Sequence, residues 1–69
     1  MKLDFYKDEW DGIMHNCDFT DIEIKIIELL RRGWCLIDIA EELYISLSTV
    51  KRRKKSIENK IIHYILLCK

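Results

Sequence analysis

The chain of 69 residues has no proline, only two glycines (Gly12 and Gly33) and no net charge. So few turn-forming residues argue against a strand-rich fold and for a compact helical one. Its hydrophobic fraction of 49% excludes a disordered chain and suits one small core. The longest apolar run, IIHYILLC at 61–68, contains His63 and is far too short to cross a bilayer, so no membrane partner is expected. The opening stretch MKLDFYKDEW is acidic and aromatic where a secretory leader would be apolar. Three cysteines, Cys17, Cys35 and Cys68, cannot all pair with one another, and free thiols in a reducing cytoplasm are expected. No close C-x2-C pair exists, and the spacings His15-x-Cys17 and His63-x4-Cys68 suit structural zinc poorly, so no metal site is expected. Nor is there a nucleophile motif or a glycine-rich phosphate loop. Neither an enzyme nor a cofactor is expected.

Charge is abundant but segregated. Residues 1–30 hold three bases against eight acids, whereas residues 31–69 hold nine bases against four acids. Five of those bases are consecutive, Lys51-Arg52-Arg53-Lys54-Lys55. Solvated helical faces usually mix signs to gain i, i+4 pairs. A same-sign run of this kind points to a polyanionic partner.

Periodicity organises the chain into an all-α fold. Leu3, Tyr6, Trp10, Ile13 and Cys17 recur at steps of three and four, which predicts an N-terminal helical segment within residues 1–18, weakened at Gly12. Thr20 and Glu23 form the capping box T-x-x-E, and Phe19 and Ile24 stand at the positions of a hydrophobic staple. The helix they open is expected to bury Ile22, Ile26, Leu29 and Leu30 and to stop at Gly33. A short helix follows, with Leu36, Ile39, Ala40 and Leu43 inward and Asp38, Glu41 and Glu42 outward. Ser46 is a good N-cap for a third helix. Residues 19–61 thus read as a helix-turn-helix domain with a three-helix core. Residues 62–69 read as a C-terminal extension, continuous with the third helix because no breaker intervenes.

On that third helix, residues 47–60 form an expected recognition helix. Val50, Ile57 and Ile61 fall in one narrow arc, with Ser48, Lys51, Arg52, Lys55 and Asn59 opposite. The pattern FTDIEIKIIELLRRGWCLIDIAEELYISLSTVKRRKKSIENKI resembles the LuxR-type helix-turn-helix DNA-binding domain over residues 19–61. Its marks are Thr20, Glu23, Gly33-Trp34, IAEEL, IS and TVK. The same core is similar to the promoter-reading C-terminal region of bacterial sigma factors. The resemblance implies sequence-specific binding of double-stranded DNA by a small transcriptional regulator. Base reading would fall to Lys51, Arg52 and Lys55, which match the family's base-reading positions, and Arg or Lys on guanine O6 and N7 is the commonest specific contact in the major groove. Ser48, Thr49, Arg53, Lys54 and Ser56 would hold phosphates. Thr49 has the alternative of capping the helix locally.

The chain departs from the family where Lys54 replaces a buried aliphatic residue, where Leu36 and Ile37 replace polar ones, and where the glycine break after Ile61 is missing. The stem of Lys54 suits packing with its ammonium led outward. Beyond the basic run, Ile61, Tyr64, Ile65, Leu66 and Cys68 continue an apolar stripe wider than a small core needs. A homodimer through this helix is expected, against the alternative that the tail folds onto the N-terminal helix. The rival functional class is a protein-interaction module, such as an RNA polymerase adaptor or an anti-repressor, that keeps the fold without reading DNA.

Overall fold

The computed structural model describes residues 5–67, which form four helices and, among the described residues, no strand. These are α1 (Lys7–Asn16), α2 (Asp21–Arg31), α3 (Leu36–Leu43) and α4 (Leu47–Leu67). Trp10 and Ile13 of α1, Ile26 and Ile27 of α2, Ile39 and Ala40 of α3, and Val50, Ile57 and Ile61 of α4 make one buried core. Every helix contributes to it, and α4 packs against the other three. No helix among the described residues is long and apolar enough to cross a membrane.

The start and stop signals act as their chemistry requires. Thr20 N–H donates to Glu23 Oε1 at 2.9 Å and Glu23 N–H to Thr20 Oγ1 at 3.4 Å, so the capping box closes from both sides. Gly33 adopts φ 89° and ends α2, in the left-handed region where a glycine has no Cβ penalty. At the equivalent end of α3 the left-handed position, φ 57°, is held by Tyr44. Three residues, Tyr44–Ser46, join α3 to α4.

The N-terminal stripe needs correction. Tyr6 is the N-cap of α1 and 82% exposed, because the helix begins only at Lys7. Its N–H donates to Glu9 Oε1 at 3.0 Å. The aromatic neighbour of Trp10 is instead Phe5, whose ring meets it edge-on at 5.4 Å, with the Arg31 guanidinium over the same indole at 5.1 Å. Leu3 lies outside the described residues. Gly12 has a packing role that periodicity misses: a Cβ there would stand 3.0 Å from Tyr64 Oη, so glycine lets α1 approach α4 closely. On α2 the fully buried positions are Glu23, Ile26 and Ile27, while Ile22, Leu29 and Leu30 are only half-buried.

Candidate nucleic-acid interface

Ser46 sets the start of α4. Its Oγ accepts Thr49 N–H at 3.1 Å, and its carbonyl accepts Val50 N–H at 3.1 Å. The Thr49 hydroxyl is 2.8 Å from Ser46 Oγ, so it is engaged in the cap. From there one unbroken helix of 21 residues runs to Leu67, about 31 Å at the usual rise per residue. There is no boundary at residue 61. The expected recognition helix is the first two-thirds of this longer element.

Val50, Ile57 and Ile61 have no exposed surface at all. Because they fix one arc of α4 in the core, the opposite arc must face outward, and Ser48, Lys51, Arg52, Lys55 and Asn59 are all exposed there. Arg53 is exposed on the flank. Lys54, one turn from Val50 on the inward side, is half-buried, as expected for a stem that packs and an ammonium that reaches out.

The other flank of α4 is committed to α2. Lys60 Nζ donates to Glu23 Oε1 at 2.7 Å and to the Asp18 carbonyl at 2.8 Å, and lies 5.7 Å from the centre of the Phe19 ring. Ser56, one turn before Lys60, is half-buried, and its hydroxyl acts on the same carboxyl. Ser56 thus lies on the Glu23 flank of α4, outside the basic arc. Glu23 is 0% exposed. Burial pushes its carboxyl upward, but the Lys60 ammonium, the Thr20 N–H and the Ser56 and Thr20 hydroxyls outweigh burial and hold the pKa at about 2. Oε1 gathers three donors, whereas buried Oε2 has none at bonding distance. Sequence reasoning saw Glu23 only as a helix cap. Its partner lies 37 residues away, and the one signal was that Ser56 and Lys60 share a flank of α4.

The residues expected to dimerise divide three ways. Ile61 is wholly buried in the chain's own core and has no surface to offer a second copy. Tyr64 and Ile65 pack against that core, Tyr64 opposite Gly12. Only Leu66, 68% exposed, remains outward, and Cys68 lies outside the described residues. Within the chain, Tyr64 of the tail thus packs on α1 at Gly12. Ile62, 43% exposed and one turn before Leu66, joins it on the arc that carries Lys51 and Lys55 further back. Among the described residues no group of three His, Cys, Asp or Glu side chains is placed to hold a metal ion.

The charges of the other elements frame this arc. Helix α1 carries Lys7 with three acids (Asp8, Glu9, Asp11), α2 carries Lys25 and Arg31 with three (Asp21, Glu23, Glu28), and α3 carries Asp38, Glu41 and Glu42 with no base of its own. Helix α4 alone is net basic, with six bases to Glu58. No protein-family model, curated protein or solved structure matches the chain.

Proposed function

We propose that the chain binds double-stranded DNA in the cytoplasm as a small transcriptional regulator, with α3, the Tyr44–Ser46 turn and α4 acting as a LuxR-like helix-turn-helix. The observation that carries this reading is the outward arc of α4. Lys51, Arg52 and Lys55 stand exposed opposite three fully buried aliphatic residues, so the core itself aims them away from the protein. A helix of this diameter fits the major groove, and long cationic side chains reach guanine edges there. Ser48 and Arg53, also exposed, and the ammonium of Lys54 flank the arc where phosphate oxygens would lie. Thr49 and Ser56 have weaker claims to phosphate, since the first is tied to Ser46 and the second lies on the Glu23 flank.

A homodimer, in this reading, uses the Ile62 and Leu66 end of α4, with two copies reading half-sites about one helical turn apart. Selecting bound duplexes from a random pool tests the proposal. A recurrent motif that disappears in Arg52→Ala supports it, and a paired motif reports the dimer. A pool that stays random after repeated selection contradicts it.

A further inference from the structure

The outer face of α3 and its cap carry a surface that the DNA reading does not use. Ile37 and Glu41 stand one turn apart on the side of α3 opposite buried Ile39, and Tyr44 follows as the cap beyond Leu43. Ile37 is 57% exposed and Tyr44 95% exposed. Neither helps the fold. Tyr44 occupies a left-handed position that glycine fills at lower cost, as Gly33 does at the end of α2. A nearly bare aromatic ring at a strained backbone position gains nothing from the core. Two large exposed apolar groups, one in the first turn of α3 and one at its cap, with the carboxylates of the same helix between them, have the makeup of a contact surface.

The charges around these two residues choose the occupant. On one side of Tyr44 a cleft is lined by Gly33, Trp34, Asp38, Glu41 and Glu42, with no base among them. A second cleft that Tyr44 also lines holds one base, Lys25, with Glu28 and Glu42. These carboxylates repel phosphate, so neither nucleic acid nor an anionic membrane fits here. From this charge complementarity we infer that the α3 face docks a basic, amphipathic segment of a partner protein. Apolar side chains of the segment would cover Ile37 and Tyr44, its lysines or arginines would meet Asp38, Glu41 and Glu42, and one cation would lie over the Tyr44 ring. The surface is separate from the α4 arc, so a bound partner and a bound duplex need not exclude each other.

The test uses the full chain, isotopically labelled and titrated with a short helical peptide that has leucines on one face and lysines on the other. Resonance shifts are expected at Ile37, Glu41 and Tyr44. Tyr44→Gly should weaken the peptide at least about tenfold while melting no lower than the parent. A lower melting point in Tyr44→Gly would make Tyr44 a structural residue and overturn the inference. So would equal binding of a peptide with serines in place of the leucines, or shifts spread over Asp8, Glu9, Asp11 and Asp21, since either would mean diffuse charge attraction. Self-association of the parent chain that is lost in Tyr44→Gly would make the occupant a second copy and overturn the choice of a foreign partner.

Discussion

Glu23 has three donors on one carboxylate oxygen and none at bonding distance of the other, in a place without solvent. A buried carboxylate is tolerated only while paired, and removing one partner leaves an uncompensated charge. Its pKa of about 2 lies below the usual carboxyl value of about 4.3, so the folded form holds its proton less tightly than the unfolded form. The resulting stabilisation is complete above pH 4.3 and is lost as pH falls through about 2, on the order of 2 to 3 kcal/mol in all. Urea unfolding across that range should show this loss in the parent chain. Glu23→Gln should be less stable by a similar amount at pH 7 and show a correspondingly smaller loss towards pH 2; an equal loss in both would place the acid sensitivity elsewhere. Gly12 gives a second test at this scale. Alanine within a helix gains about 1 kcal/mol over glycine, but here its Cβ would press on Tyr64 Oη at 3.0 Å. Gly12→Ala should therefore be worth close to 1 kcal/mol more in a Tyr64→Phe background than in the parent, as a double-mutant cycle by thermal melting would read. A zero coupling would mean that the two helices shift freely.

At the scale of elements, α4 joins the core to the proposed interface because its two arcs are fixed by the same residues. Replacing Ile57, which has no exposed surface, with alanine should cost about 2 to 5 kcal/mol by denaturant unfolding. Replacing Arg52 or Lys55 should leave stability nearly unchanged, yet cost about 1 to 3 kcal/mol at a preferred duplex and relax the base preference. Much of this element was legible beforehand. Ser46 as cap, the inward Val50, Ile57 and Ile61, the half-buried Lys54 and the unbroken run past Ile61 all follow from local chemistry and a period of 3.6 residues. The capping box of α2 and its glycine stop were legible for the same reason. What was not legible depends on tertiary neighbours. Periodicity marks Ile61, Tyr64 and Ile65 as apolar but does not say whether α1 or a second copy covers them. It placed Tyr6 on a stripe that begins one turn too early, and it could not see that Lys60 crosses to Glu23. Ile27 was missed because α2 is covered over a wider arc than one stripe.

For the molecule as a whole, neutrality conceals one basic helix beside three net-acidic ones. A duplex on the α4 arc would meet Lys51 to Lys55, with the carboxylates of α3 outside the contact and acting on it only through their field. Replacing Asp38, Glu41 and Glu42 with their amides should accordingly tighten duplex binding at low salt, and an unchanged affinity would place α3 beyond a Debye length of about 10 Å from the backbone. The most direct test of DNA binding by α4 is the salt dependence of affinity for a duplex, followed by fluorescence anisotropy. Arg53 and Lys54 on phosphates predict a slope of log K against log salt of about −2, rising to about −4.5 where the three base-reading cations displace counterions as well. No binding at low salt, or a slope shallower than about −1, would show that this run of cations does not meet phosphates and would contradict the account.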